Sequence, residues 1–113
     1  MSFQQLLDQM SSVRGVEAVA FLDSEGELIL HSGAGDPERL RVVGAYQGLS
    51  IGSISKLGFE NARTLCTLYS ERSILTQTLK DGYFICVIFS PDLNFAFAQF
   101  VIEEACRRLE DEL

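Results

Sequence analysis

Residues 79–89 read Leu79-Lys80-Asp81-Gly82-Tyr83-Phe84-Ile85-Cys86-Val87-Ile88-Phe89, a turn signal followed by an unbroken apolar run. Asp-Gly is the pair best suited to a two-residue type I′ turn, because both central positions need positive φ. The run after it is apolar at every position from 83 to 89, and a strand of that kind needs cover on both faces. Before it, Ser73 to Lys80 alternates Ile74, Thr76 and Thr78 against Leu75, Gln77 and Leu79, the period-two pattern of a strand. The turn therefore joins two antiparallel strands, and the second is central. Further toward the N-terminus, Arg63 to Ser70 alternates loosely and is rich in Thr, Leu and Tyr, with Glu71-Arg72 turning it into the strand that follows.

A second apolar run, Val16 to Asp23, turns through Ser24-Glu25-Gly26 into a returning strand from Glu27 to His31. Ahead of it, Ser2 and Gln5 make a capping box for a short helix whose Phe3, Leu6, Leu7, Met10 and Val13 share one face and which ends before Gly15. Between the hairpins, Ser32-Gly33-Ala34-Gly35 forms a loop. Asp36-Pro37 then opens a long helix, the carboxylate as cap and the proline in the first turn. That helix runs to about Leu57, where Gly58 is placed for a left-handed C-terminal cap and Phe59 to Asn61 connect onward. Ser90-Pro91-Asp92 repeats the cap-and-proline device, and Phe95, Ala98, Ile102, Ala105, Leu109 and Leu113 form the stripe of a last helix. The element order is α-β-β-α-β-β-β-α. Strands one and five are the most apolar and belong in the middle; strands two and three are more polar and belong at the edges. The expected fold is α+β, a three-layer α/β/α arrangement around a five-stranded antiparallel sheet of order 2-1-5-4-3. The first and last helices cover one face and the middle helix the other.

At 113 residues the chain is one domain's worth, residues 1–113, with no internal repeat or linker. Apolar residues make up 47% and charged residues 22%, which places it among globular proteins rather than disordered or collagen-like ones. Nine basic against sixteen acidic residues give a net charge of −7. Phosphate backbones and anionic lipid are repelled by that balance, so nucleic acid is not an expected partner. There is no export signal at Met1 and no apolar run of membrane-spanning length, so membrane insertion is not expected and the cytoplasm is the expected location. Cys66, Cys86 and Cys106 are an odd number at wide spacing and read as small hydrophobes in a reducing compartment.

The element order, the segment Leu6-Leu7 with Val13-Arg14-Gly15-Val16-Glu17-Ala18-Val19-Ala20-Phe21-Leu22-Asp23-Ser24-Glu25-Gly26-Glu27-Leu28-Ile29, and the Leu79-Lys80-Asp81-Gly82 turn before an apolar strand together resemble the Roadblock domain family over essentially the whole chain. Profilin-like, longin and PAS-related domains reuse parts of this pattern. Phe95, Phe97 and Phe100 make the start of the last helix bulkier than the family pattern. The resemblance implies a profilin-like, non-enzymatic homodimerisation scaffold in which middle helices and third strands of two subunits meet. Members serve as dynein light chains, in scaffolds for Rag-type GTPases, and in prokaryotes as regulators of small Ras-like GTPases, including those of gliding-motility polarity. A short acidic domain looks most like the last group. The resemblance then implies a regulator that biases the switch segments of a Ras-like GTPase toward hydrolysis, or governs its localisation, without an arginine finger.

The middle helix carries two apolar faces where covering a sheet needs one. Leu40, Val43, Ile51, Ile54 and Leu57 form the expected core stripe, with Gln47 unaccounted for inside it. Val42, Tyr46 and Leu49 lie nearly opposite, followed by Ser53 and Lys56, and are left in water unless another chain covers them. Between the stripes Gly44, Gly48 and Gly52 recur at i+4. Each costs about 0.8–1 kcal/mol of helix propensity relative to alanine. This favours a close contact with another chain over a close approach to the helix's own sheet. The third strand, Thr64 to Tyr69, has no proline or lysine to block its edge; an edge facing water and an edge paired with its copy both fit, and the resemblance favours pairing. The expected dimer interface is Val42, Gly44, Gly48, Leu49, Gly52, Leu65, Thr67 and Tyr69. Helix geometry gives Arg39, Tyr46, Leu49 and Ser53 as the expected partner-binding residues.

Signals for catalysis are poor. His31 is the only histidine and has no second base or ligand near it in the sequence. Asp23, Glu25 and Glu27 have Leu28 and Ala34 where a calcium loop needs Gly and Glu. Gly33 and Gly35 lack the third glycine of a dinucleotide loop, and no Walker sequence occurs. No metal, cofactor or catalytic residue is expected. The acidic Glu103-Glu104 and Glu110-Asp111-Glu112 read as a solvated helix end, with steering of a basic partner as the other reading. Two alternatives belong to other classes. One is a PAS-like or profilin-like sensor holding a small molecule near Phe84, Cys86, Phe95 and Phe97; the other is an assembly component, like a dynein light chain, that binds a peptide or helix.

Overall fold

A computed structural model describes residues 2–58, 63–90 and 95–113, with no account of the Phe95 side chain. The elements are α1 (Phe3–Ser11), β1 (Val16–Leu22), β2 (Leu28–Gly33), α2 (Pro37–Lys56), β3 (Thr64–Leu68), β4 (Ser73–Thr78), β5 (Phe84–Phe89) and α3 (Phe95–Glu112). They form one antiparallel sheet of order β2-β1-β5-β4-β3, as expected from the ranking of strand polarity. The expected connector at 59–61 and the Pro91-Asp92 device lie outside the described residues.

Local chemistry sets the boundaries. The Ser2 hydroxyl accepts from the Gln5 N–H while the Gln5 side chain accepts from the Ser2 N–H, closing the capping box of α1. Asp36 accepts from the Glu38 N–H at the start of α2, with Pro37 as the first residue. Asp81 stands at φ 62°, ψ 24° and Gly82 at φ 81°, and the Tyr83 N–H reaches the Lys80 carbonyl, so the β4–β5 connection is the type I′ turn. The Asp23 carboxylate accepts from the N–H groups of Glu25 and Glu27, which commits it to the β1–β2 turn.

The sheet separates two apolar clusters. On one side Leu6, Leu7 and Met10 of α1 and Ile102, Cys106 and Leu109 of α3 pack with Val19, Leu75, Ile85 and Val87. On the other, Leu40 of α2 packs with Ala18, Ala20, Leu22, Ile74, Phe84 and Cys86. Burial pushes the thiols of Cys86 and Cys106 up to about 12, so both are inert hydrophobes. Among the described residues no helix is long and apolar enough to cross a membrane.

The two edges of the sheet differ. Along β2, the Gln4 side chain of α1 donates to the His31 carbonyl at 3.0 Å, and Ser32 hydrogen-bonds Ser11 and Asp8. The Ser32 hydroxyl, with help from Gln4, holds the Asp8 carboxyl below its usual range. That edge is clasped by α1. At β3, no described strand or helix lies beyond the edge.

Candidate functional site

The face of α2 turned away from the sheet carries the exposed apolar side chains. Val42 is 47% exposed, Tyr46 67% and Leu49 69%. Arg39 and Ser53 are exposed on the same helix, and Arg39 has no ion-pair partner among the described residues. The sequence expectation for these five residues' exposure agrees with the structure. Nearby, the Arg41 guanidinium donates to Glu38 and holds that carboxyl below its usual range.

Two expectations about α2 are corrected. A Cβ on Gly44 would sit 2.3 Å from Leu22 Cδ2, and one on Gly48 would sit 2.8 Å from Phe84 Cζ. Gly44 and Gly48 therefore let the helix approach its own sheet and are removed from the expected subunit contact. Gly52 has open space around it and remains on the exposed surface. The second correction is Leu57, which is 77% exposed rather than part of the core stripe. Ile51, Ile54 and Leu57 are spaced by three, so each step falls back about 60° around the helix and the third has left the core. Burial follows that drift, from buried Ile51 through half-buried Ile54 to Leu57.

The structure also accounts for Gln47. Its side chain is 5% exposed, and its Oε1 accepts from Thr76 Oγ1 at 3.1 Å and Thr67 Oγ1 at 3.4 Å. A polar residue inside the apolar stripe is thereby satisfied by hydroxyls from β4 and β3.

Thr67 faces α2, and by strand alternation so do Leu65 and Tyr69. Leu65 and Thr67 are half-buried and Tyr69 is 54% exposed. Cys66 turns to the other side, where it packs against the α1/α3 cluster, and Leu68, on that same side, is 76% exposed. Sequence reasoning missed Leu68. Its signal was the adjacent pair Leu68-Tyr69, since neighbouring residues of an edge strand point to opposite faces and both cannot share one cover. α2 and β3 thus meet at an open corner. A cavity of about 430 Å³ lies at one end of it, floored by Leu40, Val43, Ile74 and Ile88 and flanked by Tyr46 and Tyr69. The Arg72–Glu17 ion pair, 2.8 Å apart, stands at its rim.

Of the residues expected to line a sensor pocket, the Phe95 side chain lies outside the described residues, and Phe84, Cys86 and Phe97 do not converge. Phe84 and Cys86 are buried beneath α2, whereas Phe97 is 59% exposed on α3, in the layer on the other side of the sheet. Phe100, also on α3, is 68% exposed. His31 is half-buried, its carbonyl bonded to Gln4. Among the described residues no group of three or more His, Cys, Asp or Glu side chains is arranged to hold a metal ion.

No family model and no curated protein sequence matches the chain. Solved structures do match in shape. MglB of Myxococcus xanthus superposes with a TM-score of 0.84 at 16% identity, over 96% of this chain and 91% of that one. A Roadblock/LC7 domain from Streptomyces avermitilis gives 0.84 at 14% identity, over 99% and 98%. The gliding protein MglB of Thermus thermophilus gives 0.83 at 10% identity, over 95% and 84%. At these identities the shared property is the fold, which is that of the Roadblock/LC7 domain.

Proposed function

We propose that this chain is a non-catalytic, homodimeric regulator that acts in the cytoplasm, docking a small Ras-like GTPase on the outer face of α2 and altering its GTP hydrolysis or its localisation. The observation that carries the reading is the stripe Val42, Tyr46 and Leu49, apolar and turned away from a sheet that α2 already covers with its opposite face. A second copy takes Val42 and Gly52 on that helix, the edge of Leu49, and the open corner at Leu65, Thr67 and Tyr69, while Arg39, Tyr46, Leu49 and Ser53 stay available to the GTPase. Hydrolysis is then the GTPase's own chemistry, and this chain contributes a shaped surface that favours one arrangement of its switch segments. The names of the fold neighbours, gliding proteins among them, support a regulator of this kind.

The test mixes the purified chain with the small GTPases encoded near its gene and measures binding together with single-turnover GTP hydrolysis. Saturable binding and a changed hydrolysis rate are expected. Leu49→Asp weakens binding by about thirtyfold, the size of a hot-spot loss near 2 kcal/mol, while circular dichroism and solution mass stay those of the parent. Absence of binding and of any rate change across all such GTPases defeats the reading. Loss of the dimer in Leu49→Asp instead moves Leu49 to the subunit contact.

A further inference from the structure

We propose that the outer face of α3 is a second docking surface, which takes a basic amphipathic helix of a partner protein. α3 and α2 cover opposite faces of the sheet, so the chain holds this helix and a partner on α2 at the same time. Two features of the last helix are not used by the α2 surface: the bulky Phe97 and Phe100 near its start and the acidic residues toward its end. Ala98, Ile102, Ala105 and Leu109 turn inward, to the cluster shared with α1. Phe97 and Phe100 turn away from it and are 59% and 68% exposed.

At about 100° per residue, Phe97, Phe100, Glu104, Arg107 and Asp111 fall within one strip about 80° wide, because steps of three and four alternate along it. That is the seam spacing with which one helix meets another. α3 carries the spacing twice. Its inward seam is apolar throughout, whereas the outward one is apolar at its first two positions and charged at the rest. Holding the sheet needs only the first. The second leaves two neighbouring phenyl rings in water, and aromatic side chains of this kind contribute most when a partner buries them.

The charges identify the occupant. Between residues 103 and 112 stand five acidic and two basic residues. Both basic ones are spent on Glu104, to which Arg107 donates and from which Arg108 lies 3.8 Å away. Glu110 pairs with Arg63 at 3.1 Å. Glu103, which accepts from Gln99 at 3.1 Å, and Asp111 and Glu112 have no cationic partner among the described residues. Asp111 and Glu112 also stand at the C-terminal end of the helix, where the macrodipole opposes negative charge. Lysine or arginine from a partner relieves that conflict. A second copy of α3 does not, since a parallel copy opposes its own carboxylates and an antiparallel one sets them over the phenyl rings. Anionic lipid is repelled by the same residues. What fits is a helix with two apolar side chains three or four residues apart and basic residues farther along the same face.

The probe is a fluorescent alanine-glutamine helical peptide of 18 residues, the length of α3, with a leucine pair followed by lysines along one face. It is made in both sequence orders and in a version with glutamate for lysine, and the full-length protein is titrated into it by fluorescence anisotropy. Saturable binding of a lysine peptide, and none of the glutamate peptide, is expected. Phe97→Gln/Phe100→Gln, which installs good helix formers, weakens binding at least about thirtyfold. Glu103→Gln/Asp111→Asn/Glu112→Gln weakens it about tenfold. Circular dichroism of both variants stays that of the parent, and Leu49→Asp binds the peptide as the parent does. Failure of both lysine peptides to bind overturns the inference, as does binding indifferent to the phenylalanine variant. Equal binding of the glutamate peptide overturns the basic partner. A smaller solution mass for the phenylalanine variant than for the parent gives the face to a second copy, and parent-only binding to phosphatidylcholine vesicles gives it to a membrane; either result overturns the inference. Because Leu49→Asp reports on α2 separately, failure of the GTPase reading leaves this result unchanged.

Discussion

Alanine placed in turn at Gly44, Gly48 and Gly52 separates glycines that face the molecule's own sheet from one that faces outward. In each case alanine gains about 0.8–1 kcal/mol of helix propensity. At position 44 the new methyl would sit 2.3 Å from Leu22 Cδ2, 3.1 Å from Cδ1 and 3.3 Å from Cγ. Leu22 is fully buried in the cluster of Ala18, Ala20, Leu40, Phe84 and Cys86, so its side chain must shift against these neighbours to admit the methyl. Overpacking of a filled core costs about 1–3 kcal/mol, so Gly44→Ala loses about 1 kcal/mol net once the propensity gain is set against it. Gly48→Ala has the same sign, since the Phe84 ring it meets at 2.8 Å is itself buried. Gly52→Ala meets nothing within 4 Å and keeps the whole gain. Urea unfolding followed by far-ultraviolet circular dichroism on dilute protein should therefore place the variants at positions 44 and 52 about 2 kcal/mol apart, with unchanged m-values. A Gly44→Ala chain as stable as Gly52→Ala would show that Leu22 yields to the added methyl without cost. Weakened self-association with raised monomer stability would return Gly44 to the subunit contact.

Gln47→Leu should cost about 1–3 kcal/mol in the same unfolding assay, because it strips the Thr76 hydroxyl of its acceptor on α2 inside the core; adding Thr76→Val should recover most of the loss, and a neutral single variant would show that the hydroxyl finds another partner. The thiols predict an alkaline limb. Burial raises Cys86 and Cys106 from 9.0 to about 12 in the folded chain, so their contribution is complete below pH 9.0 and is lost as pH rises toward 12, when the unfolded chain releases protons that the folded chain retains. Stability measured from pH 8 to 11 should fall in the parent and fall less in Cys86→Ala, after its lower baseline is subtracted; parallel slopes would count against burial as the cause.

The order of elements was legible because turn and cap chemistry is local. Asp81-Gly82, Asp36-Pro37 and the Ser2/Gln5 box each announce themselves within four residues, and the strand ranking needs only the apolar content of short runs. Less legible was whatever depends on the atom facing a residue across space. A glycine leaves the same gap on a helical wheel whether Leu22 or a second chain fills it, so Gly44 and Gly48 could be assigned to a contact but not to a side. Gln47 looked anomalous because its two partners, Thr67 and Thr76, lie 20 and 29 residues away. Leu57 failed for a geometric reason, since a spacing of three read as a stripe drifts off the core by its third member.

These residues also decide where the docking surface lies. A helix on a sheet has one free rotation, its roll about its own axis, and the roll determines which side chains reach solvent. On one flank of α2, Gly44 and Gly48 admit Leu22 and Phe84 to the helix backbone; on the other, Gln47 is tied to β3 and β4. A roll of one residue, about 100°, would drive a side chain into Leu22 and withdraw the acceptor from Thr76. The outward presentation of Val42, Tyr46 and Leu49 is therefore fixed from beneath, by two absent side chains and one buried amide. Substitutions at Gly44 or Gln47 should impair partner binding without either residue touching the partner.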